Sequence, residues 1–318
     1  MSLHDDFLVL NRADLDGLNL TWAEVMDVID DAFVQKARGE VQNPPKPKVA
    51  PRSDAFVNAM PAFLAGSDSL GIKWVSGFEQ NRTKDLPYIY GALLMNDADT
   101  GRPLALIDGG WVTEKRTAAV SGVTLRHVPG SVGTLGIIGA GLQGNRHLEV
   151  ALEVHPEIEH VRVFDHREAP GHALLAQAGE RVGTVVHSAL EATQDADLVI
   201  SSISRRMDPR LDGSNTAPDA LILPVDYDDT FGPDVVREAA FFAVDDRGQY
   251  DSVLHRAFQG YHDPDGELAQ LVSGVMTVPD HGRRVFTNMG LAMEDVALGA
   301  LILERATATG AGTTITFP

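Results

Sequence analysis

The stretch GTLGIIGAGLQG, Gly133 to Gly144, constrains the fold more tightly than any other part of this chain. Leu135 to Ile138 form a short apolar run that enters Gly139, Gly141 and Gly144 at GxGxxG spacing. Behind them Leu148, Ala151 and Leu152 share one face of a helical pattern, and a second apolar run, VRVF, ends in Asp165. Strand, tight turn, helix, strand and terminal acid together specify a dinucleotide-binding βαβ unit. The first glycine permits the turn, the second lets the backbone approach a pyrophosphate, and the third lets the helix pack on the strand. The chain has 30 glycines, so the bare spacing would carry little, and the flanking elements carry the inference.

From Gly133 onward, apolar runs alternate with helical patterns. Strands are expected at 134–138, 160–165, 183–187, 197–202, 220–226 and 239–244. That alternation reads as α/β, a Rossmann-type doubly wound parallel sheet. The chain before it reads as α+β. Phe7 to Leu10 form a strand, and Thr21 with Glu24 makes a capping box ahead of Trp22, Val25, Met26, Ile29 and Phe33 at helical spacing. Prolines hold Asn43 to Arg52 extended. Phe56, Asn58 and Met60 share one strand face, while Lys73 points away from the face shared by Ile72 and Trp74. GALLMND and PLALIDG flank DADTGR as a hairpin. Thr113 is expected to cap a helix to about Val128, with Arg116 in its first turn. A last helix runs from Leu291 to about Thr307, and the tail after it returns to the first domain. The expected division is a discontinuous domain at 1–127 and 306–318 and a Rossmann domain at 128–305, with a cleft and hinge where the chain crosses twice.

Composition bounds the partners. The 318 residues are enough for about two domains, and 44% hydrophobic with 22% charged content is ordinary for a globular protein. A net charge of −19 argues against nucleic acid and anionic membranes, which such a surface would repel. The absence of cysteine removes disulfides, thiolate nucleophiles and cysteine-ligated metals. The 11 histidines show no metal-ligand spacing, so no metal is expected. The start lacks a signal-peptide pattern and no run approaches a membrane span, so a cytoplasmic location is expected.

Several residues stand where chemistry would need them. Asp165 ends its strand as an acceptor for ribose hydroxyls, and a carboxylate there favours NAD over NADP. His166 and Arg167 follow at once and soften that preference. Arg116, expected at a helix start, is a mismatch with the helix dipole that a ligand carboxylate would explain, and a surface arginine is the alternative. Lys73 in mid-strand faces either a cleft, where it would need an anion, or solvent. Lys46 and Lys48 lie in the proline segment. Asp226, Asp228 and Asp229 follow the apolar strand LILPV, at the strand end where open α/β sheets bind ligands. One of them is a candidate general acid/base. Asn288 and Gly290 open the last helix and either face the nicotinamide or only cap it.

NDADTGRPLALIDGGWVTEKRTAAVSG, IIGAGLQG, ELAQLVSG and NMGLAMEDVA together resemble the ornithine cyclodeaminase/μ-crystallin family, from about Pro45 to Gly312. The resemblance implies NAD or NADP in the Rossmann domain, a homodimer formed through the other, substrate-binding domain, and a small amino or imino acid substrate. It implies that Lys73 and Arg116 bind the substrate carboxylate and that Asp228 handles the proton of the substrate nitrogen. A family arginine in the proline segment has Lys48 as its nearest counterpart, with Lys46 next. Gln143 matches a position beside the pyrophosphate, and Ser202 and Ile203 match positions near the adenine or ribose. Arg116, Thr117, Ala140, Leu142 and Val225 complete the expected cofactor set with the glycines, Asp165, His166, Arg167, Asn288 and Gly290. This chain carries Asp226 where the family more usually has glycine. Asn58 stands where ornithine cyclodeaminase has a glutamate for the distal amine. The implied activity is hydride transfer at an amino or imino α-carbon, as an amino acid dehydrogenase or ketimine reductase. The alternatives are an ammonia-releasing ornithine or lysine cyclodeaminase and a non-enzymatic, crystallin-like binding protein.

Overall fold

Two ten-residue strands with alternating burial set up the first half of the molecule, as expected of a sheet covered on one face. A computed structural model describes residues 6–316. In chain order the opening elements are β1 (Asp6–Leu10), α1 (Arg12–Gly17), α2 (Trp22–Ala37), β2 (Val41–Gln42), β3 (Lys48–Val49), β4 (Ala55–Leu64), β5 (Ser69–Phe78), β6 (Ile89–Asn96), β7 (Pro103–Asp108) and α3 (Gly109–His127). Next come β8 (Thr134–Ile138), α4 (Leu142–Val154), β9 (His160–Phe164), α5 (Glu168–Leu175), β10 (Val182–Val185), α6 (Ala189–Thr193), β11 (Leu198–Ser201) and β12 (Leu221–Pro224). The chain continues with α7 (Asp234–Arg237), β13 (Phe241–Val244), α8 (Arg247–Val253), β14 (Gly266–Glu267), α9 (Leu268–Val272), β15 (Arg284–Thr287), α10 (Ala292–Thr309) and β16 (Thr313–Thr316).

The chain divides into one unit up to Arg116 and again from Leu291, and a second unit from Thr117 to Gly290. These divisions fall earlier than the expected 127 and 305. All of α10 packs on β4, β5, β6 and α2, so the whole helix belongs to the first unit.

The first unit is a mixed sheet in the order β16-β1-β7-β6-β5-β4-β2, with β3 on β4. Its pairings are antiparallel except β1 with β7. The tail returns as expected, since β16 pairs with β1. The capping box of Thr21 and Glu24 forms as read, and the 97–102 turn joins β6 and β7 as a hairpin. Register places Met60, Lys73 and Leu93 opposite one another on the face under α10. A Cβ on Gly299 of α10 would lie 2.8 Å from Leu93, which shows how closely the helix sits. The opposite face shows Trp74 at 52%, Tyr90 at 48% and Leu106 at 38% exposure.

The second unit is an eight-stranded sheet, β10-β9-β8-β11-β12-β15-β13-β14, parallel throughout. The six strands read from sequence all form, with ends within two residues of those expected. β15 was not expected, and it inserts between β12 and β13. It carries Arg284, buried and donating to Pro129 O and Asp219 O, so a charged residue interrupts the apolar run that would have marked the strand. Among the described residues no helix is long and apolar enough to cross a membrane.

Candidate active site

The glycine turn is built by contact. Gly139 has φ +96, and a Cβ there would come 2.9 Å from Ser202 O. A Cβ on Gly144 would lie 2.0 Å from Gly139 O, so only glycine lets α4 sit on the turn. Gly141, the N-cap of α4, is different: a Cβ there would meet nothing within 4 Å. The chain itself does not require a glycine at Gly141, and the space beside it suits a pyrophosphate approaching the backbone. No side chain of the N-cap residue caps α4, and the start of a helix favours an anion. These residues fit the dinucleotide expected from the sequence.

Asp165 is nearly buried and braces this turn. Its carboxylate accepts from Ala140 N and Arg167 N, both at 3.0 Å, with His166 Nδ1 3.2 Å away. His166 and Arg167 themselves are exposed. Ser202 donates to Gly139 O at 3.3 Å, and Val225 N to Ser201 O at 2.8 Å, so the candidate residues of β11 and β12 gather beside the turn. Behind it, His147 Nδ1 donates to Gln143 O at 2.8 Å, which leaves Nε2 to accept from Ser121 Oγ at 3.0 Å. Burial lowers His147 to about 4, keeping it neutral, although the bond to Gln143 opposes that shift. Asn288 and Gly290 lie in the short connection between β15 and α10, whose N-cap is Leu291, and do not open the helix. Asn288 Nδ2 donates to Thr124 Oγ1 at 3.3 Å, while its buried Oδ1 accepts nothing among the described residues. Gly290 N donates to Asp245 Oδ2 at 2.7 Å.

The three acids after β12 have separate tasks. Asp226 is buried and accepts from Ile203 N at 2.9 Å, Thr230 Oγ1 at 2.8 Å and Ser201 Oγ at 3.1 Å. Burial pushes it up to about 6 against those three bonds, which pull the other way. Asp228 is also buried, and its Oδ2 meets Arg206 Nη2 at 2.8 Å and Arg210 Nη1 at 2.9 Å. Arg210 donates to Asp228 O as well, at 3.0 Å, and Arg206 Nε reaches Asp229 Oδ1 at 3.1 Å. Oδ1 of Asp228 accepts no hydrogen bond among the described residues. Of the three, Asp228 alone joins a buried residue to a carboxylate oxygen that accepts no bond from the described residues, the arrangement a proton-transferring group would need. Arg206 and Arg210 were given no role from the sequence, because no local pattern ties them to Asp228.

In the first unit, Lys73 is fully buried under α10 and bonds Asp295 Oδ1. Arg116 Nη1 donates to Glu294 Oε2 at 3.0 Å, and its Nε lies 3.2 Å from Asp295 Oδ1. The two expected carboxylate binders therefore share one cluster. Arg116 does not stand in the first turn of its helix, because α3 begins at Gly109; the dipole mismatch read from the sequence is absent, and the acids of α10 are its partners. Burial lowers Lys73 to about 7, Arg116 adds to that, and Asp295 and Glu294 oppose it. The Arg116 side chain keeps 10% exposure, against none for Lys73. Asn58 shares the inner face with Met60, and Lys48 stands opposite it on β3, exposed and outside the buried cluster. Glu294 and Asp295 were not given a role from the sequence. Their signal was an adjacent pair of acids in a helix otherwise apolar at its start. Among the described residues no group of three or more His, Asp or Glu could hold a metal ion.

A model of the ornithine cyclodeaminase/mu-crystallin family matches residues 6–310. The nodulation efficiency protein NfeD of Rhizobium meliloti is 31% identical over 97% of this chain and 98% of its own. The ketimine reductase mu-crystallin of Mus musculus is 30% identical over 78% of this chain and 80% of its own. Among solved structures, the Delta(1)-pyrroline-2-carboxylate reductase of Thermococcus litoralis, in complex with NADH and L-proline, matches with a TM-score of 0.87 at 29% identity. The match covers 97% of this chain and 100% of that one.

The raised Asp226 makes stability depend on pH. Its folded value of about 6 lies above the ordinary 3.8, so the fold favours the protonated form. Its stabilising contribution is complete below the ordinary value and lost as pH rises through about 6. An Asp226→Asn variant escapes that loss. Denaturant unfolding should show its stability relative to wild type rising by about 2–3 kcal/mol between about pH 4 and pH 7. Parallel curves would refute the assignment.

Proposed function

Because the chain belongs to the ornithine cyclodeaminase/mu-crystallin family, we propose that it is an NAD(H)-dependent oxidoreductase acting at the α-carbon of a small amino or imino acid. The observation that carries this reading is the cluster in which Lys73 and Arg116, from distant parts of the chain, meet with the guanidinium still reachable. The ketimine reductase relative and the pyrroline carboxylate reductase structure support a carbon–nitrogen double bond beside a carboxylate as the reacting group.

When bound, NAD(H) supplies or accepts the hydride. The chain supplies position and protons. Gly139, Ala140, Gly141, Leu142, Gln143 and Gly144 hold the pyrophosphate, and Asp165, Ser202 and Ile203 attend the adenosine end. His166, Arg167, Thr117 and Val225 border this seat, and the buried Asn288 Oδ1 is an acceptor suited to the nicotinamide carboxamide. The carboxylate at Asp165 favours NAD over its 2′-phosphate analogue. Arg116 grips the substrate carboxylate with paired N–H donors, Lys73 supports that charge from beneath, and Lys48 is an outer cation. Asp228 Oδ1 gives or takes the proton of the substrate nitrogen. Asn58 offers no charge to a distal ammonium, which speaks against ornithine cyclisation.

The reading extends to a homodimer. Antiparallel sheets normally turn polar residues to solvent on their open face, yet here Trp74, Tyr90 and Leu106 are exposed there. A self-complementary pairing of that face buries them.

Incubation with NADH and a panel of cyclic and linear α-imino acids should consume NADH. Asp228→Asn should lower kcat by about 100-fold or more. Arg116→Lys, which keeps charge but loses the fork, should mainly raise KM, by about tenfold. No NADH consumption across the panel would sink the reading.

A Gly141→Ala variant should fold with stability within about 0.5 kcal/mol of wild type, since the added Cβ meets nothing within 4 Å. Its NADH affinity should nonetheless fall by about tenfold or more, as measured by fluorescence titration. Unchanged affinity would remove the glycine turn as the cofactor seat. Light scattering should show Trp74→Glu as a monomer where wild type is a dimer. A variant that remains dimeric would exclude the open sheet face.

A further inference from the structure

The cluster around Lys73 contains two cations and two anions, so its formal charges cancel. Lys73 has no exposure, and its ammonium carries three N–H donors. It bonds a single acceptor, Asp295 Oδ1, while Asp295 Oδ2 accepts nothing among the described residues. The strands beside it contribute Met60 from β4 and Leu93 from β6, both apolar. The charges that face Lys73 are therefore Asp295 and Glu294 from α10, which favour its protonated form, and Arg116 from α3, which opposes it. A buried ammonium with two of three donors unsatisfied and a guanidinium for a neighbour is held only marginally.

A substrate carboxylate at Arg116 changes that balance, because a further negative charge enters the cluster and favours a charged lysine. We infer that the substrate carboxylate is captured together with one proton, which lodges on Lys73, and that both leave together. The inference rests on the reading that Arg116 meets the carboxylate. The proton comes from solvent and forms the third N–H of an ammonium, so no oxidant or co-reactant is needed. Lys73 thereby matches its charge to occupancy. With Lys73 neutral, the empty cluster carries one net negative charge, and the occupied one, which gains a carboxylate and a proton together, carries the same.

The pH signature follows from the ordinary sign of linkage. With Lys73 lowered to about 7 in the empty protein, it is charged in both states well below that value, and binding takes up few protons. Above it, the empty protein lacks the proton and the occupied one has it. Uptake then approaches one proton, and affinity weakens by about tenfold per pH unit.

Calorimetry of the NADH-saturated protein in buffers of differing ionisation enthalpy counts this proton. The probes are L-proline and propionate, which shares the carboxylate but has no nitrogen. Both should bind with about one proton taken up near pH 8 and almost none near pH 6. Lys73→Arg carries a permanent charge, so its affinity should be flat over this range with no uptake. Uptake with L-proline but not propionate would tie the proton to a protein group that meets the ligand nitrogen, not to carboxylate capture, and would overturn the inference. So would binding without uptake near pH 8, or uptake that persists in Lys73→Arg. Should that variant not fold, the comparison of the two ligands on wild type decides alone. Failure of either ligand to bind at any pH would overturn the carboxylate assignment of Arg116 itself, and the inference with it.

Discussion

A lysine ammonium under a helix, on a sheet face otherwise lined by Met60, Leu93 and Met95, is the constraint from which much of the first unit follows. An unpaired charge in that place would be too costly to bury. It persists because α10 brings Asp295 and Glu294 to it and α3 brings Arg116 to them. The strand, the long helix and the C-terminal helix are thus obliged to meet at one point. That obligation explains why the whole of α10 packs on β4, β5 and β6 rather than with the domain that precedes it in sequence.

The second unit solves a different problem, that of holding irregular backbone at the carboxyl ends of parallel strands. Asp226 ties the exit of β11 to the exit of β12 through Ser201, Ile203 and Thr230. Met207 N to Asp229 O and Leu211 N to Thr230 O continue the closure, and Arg206 and Arg210 complete it with charge. Between Asp226 and Asp228, Tyr227 adopts φ +62, a conformation that non-glycine residues enter at some cost. The surrounding bonds hold that strain, and the result is a carboxylate whose two oxygens are inequivalent. One is fixed by guanidinium groups, and the other is the oxygen to which the proposed function assigns the proton.

What the sequence disclosed was mostly what short-range sterics dictate. The glycine turn, the Thr21 capping box and the β6–β7 hairpin each depend on neighbours a few residues away, and each formed as read. The start of α3 was misplaced for a tertiary reason. Gly109 reads as a helix breaker, yet a Cβ there would sit 2.6 Å from Ala92 N, so close approach to β6 selects the glycine and the helix begins on it. Glu294 and Asp295 look like ordinary dipole-complementing acids of a first turn. Their partners lie 178 and 222 residues away, a distance no local pattern encodes. Asp226 was visible as a departure from the family's usual glycine, but the three donors that define its task come from a strand end and a loop that only folding assembles.

The net charge of −19 sets the electrostatic problem that any acid-binding site here must solve. The long-range field repels an anion, so attraction has to be generated locally, where low dielectric strengthens it and salt screens it little. A pair of bare buried cations would supply that attraction but would leave the empty protein with an uncompensated interior charge. Pairing Lys73 and Arg116 with acids of α10 removes the penalty and weakens the pull on a ligand. On the proposed reading, selectivity then rests on which ligand can join a cluster that already holds two carboxylates, and the planar guanidinium of Arg116 would accept a further two-oxygen partner more readily than a lysine point charge does. On that reading the paired cluster is a compromise between a fold that must survive empty and a clamp that must close on an acid.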